Sequence, residues 1–109
     1  MSDATDLKPT HGELLLIWRR RKRLNQREAA RALQVSLDSY REWEGDLRAG
    51  QPRKLIRELT AAERCVIARR RSKRTQKEVA ASLGVTRVWV NRMERGLEGA
   101  EVLRDFWGV

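Results

Sequence analysis

Apolar residues along this chain recur three and four apart, the period of an amphipathic helix. No stretch of alternating β-branched residues interrupts them, so strands are not expected. Thr10 followed by Glu13 reads as a capping box, a Thr-x-x-Glu arrangement that satisfies orphan amides at a helix start. The spacing then predicts a first helix through Leu15–Lys22, ending in the basic run Arg19, Arg20, Arg21, Lys22. Asn25 caps a second helix of about eight residues that turns Ala30 and Leu33 inward. After a short turn at Gln34 and Val35, Ser36 caps a third helix with Tyr40 and Trp43 as its inward stripe. The same order then returns. Thr60 and Glu63 form a box, a helix runs through Cys65–Ser72, and Thr75 caps a segment carrying Ala80 and Leu83. A turn at Gly84 and Val85 leads to a helix capped by Thr86, with Val90 and Met93 inward.

The recurrence is a repeat. Displacing the chain by 50 positions lays residues 10–46 over 60–96 without a gap, with 12 identities in 37 positions. The identical pairs are Thr10/Thr60, Glu13/Glu63, Ile17/Ile67, Arg19/Arg69, Arg20/Arg70, Arg21/Arg71, Gln26/Gln76, Glu28/Glu78, Ala30/Ala80, Leu33/Leu83, Val35/Val85 and Glu44/Glu94. The expected class is all-α: two tandem helix-turn-helix units of short helices joined by a short helical linker. The expected segments are a mobile N-terminus (1–9), a first unit (10–50), a linker helix (51–59, containing RKLIREL), a second unit (60–97) and a C-terminal tail (98–109).

Composition narrows the function. The 109 residues carry a formal charge of +9 and a pI near 11.0, so polyanions are the natural partners. No apolar run approaches the roughly 18 residues of a membrane span. MSDATDLKP lacks the charged start and apolar core of a secretory signal, so a cytoplasmic, nucleoid-associated location is expected and no membrane partner. Cys65 and His11 are single, which leaves no zinc cluster and no nucleophilic triad. Cys65 lies in an apolar helical pattern and is expected as a buried thiol in a reducing compartment. Neither catalytic residues, nor a cofactor, nor a metal site is expected.

A short helix, a tight turn and a second capped helix make a helix-turn-helix, whose second helix can enter the DNA major groove. The stretch TQKEVAASLGVTRVWVNRMERG (75–96) resembles the helix-turn-helix of the Cro and lambda-repressor family, the XRE family. NQREAARALQVSLDSYREWEGD (25–46) resembles it less closely, with Gln34 where the second copy has the turn glycine Gly84. The resemblance implies that Ala30 and Ala80 allow close helix approach. It implies that Gln26 and Gln76 reach a phosphate, and that Arg19 and Arg69 pair structurally with Glu44 and Glu94. Base reading would fall to Arg87, Val88, Asn91 and Arg92 on the outward face of the third helix of the second unit. An arginine there can make paired hydrogen bonds to guanine, and Val88 can meet a thymine methyl. Lys73, Arg74, Lys77 and Arg95 suit backbone contacts, which position without specifying. Each arginine taken singly is equally well a solvated surface charge. Trp89 is either packed into the fold or laid flat against sugar-phosphate or a partner protein.

The copies differ in charge. Residues 1–50 carry 10 basic and 8 acidic side chains, and residues 51–109 carry 14 and 7. On residues 36–46 Arg41 stands against Asp38, Glu42, Glu44 and Asp46, whereas 86–96 hold Arg87, Arg92 and Arg95 against Glu94. The second unit is therefore expected to supply most of the affinity for double-stranded operator or promoter DNA. The acidic first unit either reads its own half-site, binds DNA weakly, or serves as a protein-interaction module, as in an antitoxin-type regulator that grips a polymerase, a regulator or a toxin. One chain spanning two half-sites as a pseudo-dimer is one arrangement. A homodimer through the apolar tail, with Phe106 and Trp107, is another, unless that tail packs back onto the second unit. Residues 59–86 also resemble the promoter-reading fourth region of sigma factors, though the tandem copy fits the repressor family better. Small size and a tandem repressor-like pattern suggest a phage or mobile element.

Overall fold

A computed structural model describes residues 8–47, 58–97 and 99–109. Among them are seven α-helices and no strand: α1 (His11–Lys22), α2 (Gln26–Ala32), α3 (Leu37–Glu44), α4 (Ala61–Arg71), α5 (Gln76–Leu83), α6 (Arg87–Glu94) and α7 (Ala100–Trp107). The protein is all-α. The described residues fall into two compact units, one within Lys8–Glu58 and the other within Leu59–Val109. The expected linker helix and mobile N-terminus lie largely outside the described residues, and Glu58 and Leu59 are not helical.

Side-chain caps open the first six helices. The Thr10 hydroxyl accepts from the Glu13 amide at 3.2 Å, while the Thr10 amide donates to Glu13 Oε1 at 2.8 Å. Thr60 and Glu63 repeat this at 3.1 and 2.8 Å. Asn25 with Glu28, and Thr75 with Glu78, form two further reciprocal boxes where the sequence suggested only the caps. Ser36 and Thr86 each accept from the third amide of α3 and α6. Each such cap contributes about 1 kcal/mol, which matters for helices of seven to twelve residues that are too short to persist alone. The first helices begin earlier than the apolar spacing indicated, directly after Thr10 and Thr60, because the box fixes the start rather than the first buried residue.

In the first unit α3 packs on both α1 and α2, over a core of Leu15, Ala29, Ala30 and Tyr40. Trp18, Leu24, Leu33, Val35 and Trp43 cover it. Tyr40 is fully buried, whereas its stripe partner Trp43 is only half-buried. The second unit encloses Cys65, Val79, Ala80, Val90, Met93 and Leu103. Its added element is α7, which packs on α4 and α6. Leu103 is fully buried there, and Phe106, Trp107 and Val109 seal the edge, with the Phe106 and Trp107 rings 4.9 Å apart edge to face. Val102 of α7 is 45% exposed. The tail's apolar side is thus used within its own unit.

Gln34 and Gly84 hold the same turn position, with φ of 60° and 70°. The left-handed conformation expected there is adopted even where the residue carries a Cβ. Where α1 meets the end of α3, the two units solve one contact differently. A Cβ on Gly12 would lie 2.4 Å from the Glu44 carbonyl oxygen, so only glycine fits. The equivalent Ala62 carries a Cβ and faces its neighbour Gly96, where an added Cβ would sit 3.8 Å from it, an ordinary contact. In the first unit that neighbour is Asp46, at φ 59°. Its carboxylate accepts from the Gly12 amide at 2.9 Å and from the Thr10 hydroxyl at 2.5 Å.

Candidate nucleic-acid interface

In each unit a buried glutamate, Glu44 or Glu94, gathers the three main helices. Glu94 of α6 accepts from Arg69 of α4, with Nε to Oε2 at 2.6 Å and Nη2 to Oε1 at 3.1 Å. Glu44 of α3 accepts from Arg19 of α1 at 2.9 Å through both nitrogens. Such fork-to-carboxylate pairs are directional as well as charged. The remaining Nη1 of each arginine donates to the carbonyl of the loop before the next helix, Leu24 at 3.3 Å and Arg74 at 3.1 Å. The glutamate side chains are nearly enclosed and the arginine side chains are 20% exposed. Tyr40, where the second unit has Val90, adds a hydroxyl donor to Glu44 Oε2 at 2.6 Å. Burial raises the Glu44 pKa, but hydrogen bonds from Arg19, Tyr40 and Gln26 outweigh it and hold the carboxyl below its ordinary value.

Gln26 and Gln76 join these networks. Each Nε2 donates to its glutamate Oε1, at 3.1 Å to Glu44 and 2.9 Å to Glu94. The opposite end of each amide faces the outward side of the third helix. Gln76 Oε1 accepts from Arg87 Nη1 at 3.4 Å, and its Nε2 also reaches Asn91 Oδ1 at 3.4 Å. Gln26 Oε1 accepts from Arg41 Nε at 3.4 Å. Both glutamines are therefore internal bridges, a role that their position in the sequence did not disclose.

Arg87, Val88, Trp89 and Arg92 lie exposed on α6, and Asn91 is half-buried beside Gln76. Val88 is 60% and Trp89 44% exposed, so Trp89 is not a core residue. Lys73 and Arg74 stand exposed in the connection to α5, Lys77 is exposed on α5, and Arg95 caps the end of α6. The Arg74 guanidinium also lies 5.9 Å from the Phe106 ring centroid, so α7 helps hold that charge. Cations and apolar side chains thus share one helix surface with a hydrogen-bonded base beneath it.

The first unit departs from the expectation of a repelling acidic helix. Glu44 is consumed by Arg19, Tyr40 and Gln26, and Asp46 by Thr10 and Gly12. Of the other two acids, Asp38 is exposed and Glu42 half-buried on α3. Beside them lies an open depression of about 470 Å³ lined by Arg19, Asn25, Gln26, Arg27, Leu37 and Arg41. Arg27 and Arg41 were not singled out by the sequence, although the 50-residue offset already aligns Arg41 with Asn91.

Among the described residues no group of three His, Cys, Asp or Glu side chains is gathered that could hold a metal ion, and no helix is long and apolar enough to cross a membrane. Cys65 is buried, and that burial together with the Glu94 carboxylate pushes its thiol pKa up to about 11. Compared with protein-family models, curated proteins and solved structures, the chain finds no match.

Proposed function

We propose that the protein is a sequence-specific regulator of transcription that binds double-stranded DNA through two tandem repressor-like helix-turn-helix units, the second carrying most of the base readout. The observation that carries this reading is the coupling of Arg87 and Asn91 to Gln76, and through it to the buried Glu94–Arg69 pair. Base recognition requires donors and acceptors held in place before contact, because ordering a free arginine on binding costs up to about 1.5 kcal/mol per side chain. Here an arginine and an asparagine, the side chains suited to guanine and adenine, share one anchor on an exposed helix. Val88 and Trp89 supply apolar surface at the same face, for a thymine methyl and a deoxyribose. Lys73, Arg74, Lys77 and Arg95 supply phosphate contacts around it. A cytoplasmic, nucleoid-associated location goes with this function.

The test is binding of the purified protein to duplexes selected from a random library, followed across a salt series. The expected result is a preferred sequence whose log affinity falls linearly with log salt, by about 0.9 per neutralised phosphate. Arg87→Ala with Arg92→Ala is expected to abolish the preference while leaving a weaker, salt-sensitive attraction. A protein that prefers no duplex over bulk competitor at about 0.15 M salt refutes the proposal.

A further inference from the structure

The two units repeat one hydrogen-bonded device and differ in what it meets on the third helix. Arginine, glutamate and glutamine are the same in both: Arg19, Glu44 and Gln26, then Arg69, Glu94 and Gln76. The side chain that the glutamine presents at the shared position of the third helix differs, being Arg41 in α3 and Asn91 in α6. We infer that Arg41 is a second base-reading residue, and that the two units recognise unlike sub-sites: guanine where Arg41 reaches and adenine where Asn91 reaches. This rests on the DNA-binding reading above.

Four observations support it. Gln26 takes the Nε–H of Arg41, which leaves the two Nη amino groups as the planar pair suited to guanine O6 and N7. Asparagine at the matching place has the donor and acceptor suited to adenine N7 and N6. Arg41 also borders the depression lined by Arg27, a second cation beside which an adjacent phosphate can lie. Finally, the acids that would have opposed a polyanion are in part tied up: Glu44 inside the fold and Asp46 at the start of α1. The first unit is then a reader of different sequence, and the favoured DNA is not a perfect palindrome.

The experiment compares base preferences, selected from random duplexes, of the full-length protein and of Arg41→Asn, Arg41→Ala, Asn91→Arg and Arg87→Ala. Circular dichroism melting checks that each variant folds. Arg41→Asn is expected to erase a guanine preference of roughly 5- to 150-fold at one position, in favour of adenine, and to leave the Asn91 position unchanged. Arg41→Ala should erase the same preference without a new one, which keeps the test valid if the asparagine variant does not fold. Asn91→Arg should convert the other sub-site towards guanine. If Arg41 variants weaken all sequences equally, or change nothing while Arg87→Ala alters the selected site, the inference falls and the regulator reading stands. If the unmodified protein selects no sequence at all, both fall.

Discussion

Glu44→Gln is the most searching single substitution in the first unit, because it changes hydrogen bonding without changing shape. The carboxylate accepts from Arg19 Nε and Nη2, Gln26 Nε2 and the Tyr40 hydroxyl, four donors converging on two oxygens. A carboxamide keeps one acceptor oxygen and turns an NH2 towards two of those donors. With the NH2 on the Oε1 side, Arg19 Nη2 and Gln26 Nε2 face another donor; on the Oε2 side Arg19 Nε does, while the Tyr40 hydroxyl can turn to accept. Breaking one side of a buried charge pair costs about 3–5 kcal/mol. A unit of this size, at about 0.05–0.15 kcal/mol per residue, has only roughly 2–8 kcal/mol to lose. The variant is therefore expected to have a marginal or unfolded first unit. Amide hydrogen exchange in α1–α3 measures this directly. Acid repeats the substitution chemically. The folded pKa of Glu44 lies below its unfolded value of about 4.3, so its stabilisation is complete above that value and drains away as pH falls through the folded one. Protection in α1–α3 within about tenfold of the unmodified protein would refute the reasoning.

Gly12→Ala should destabilise the first unit by about 1–3 kcal/mol in urea unfolding, since its Cβ would press on the backbone of Glu44, whereas Ala62→Gly should cost only about 0.5–1 kcal/mol of helix propensity. Gln34→Gly is expected to raise stability by about 0.5–1 kcal/mol, because it removes a side chain from a left-handed position at φ 60°; an unchanged or lower midpoint would contradict this. Cys65, buried and with its pKa pushed up to about 11, should react with a thiol reagent at pH 8 only as fast as the second unit opens, so its labelling rate should rise with urea in step with loss of α4–α6 helicity.

What the sequence disclosed was whatever depends on near neighbours. Capping residues act over three positions, so Thr10, Asn25, Ser36, Thr60, Thr75 and Thr86 could be read as helix starts, and the observed caps fall on them. The core residues followed from helical spacing, and the Arg–Glu pairs from the family resemblance. Contacts between distant side chains were not legible in that way. A glutamine at a helix start offers the same amide to solvent, phosphate or a buried carboxylate, and only packing decides among them. Asp46 counted as one more negative charge until its place opposite Gly12 gave it two donors. Yet the repeat itself held a clue to both. Identical pairs occupy the caps, the core and the network, apart from the arginines Arg20, Arg21, Arg70 and Arg71 near helix ends. Pairs that differ include Gly12/Ala62 with Asp46/Gly96, a compensated swap across one close approach, and Leu37/Arg87 with Arg41/Asn91, which border the exposed face of the third helix. A compensated difference preserves a contact inside the unit. The other difference is not matched by a change inside the unit: Arg41 rests on Gln26 where Arg87 and Asn91 rest on Gln76, and under the proposed function it changes what each face can bind.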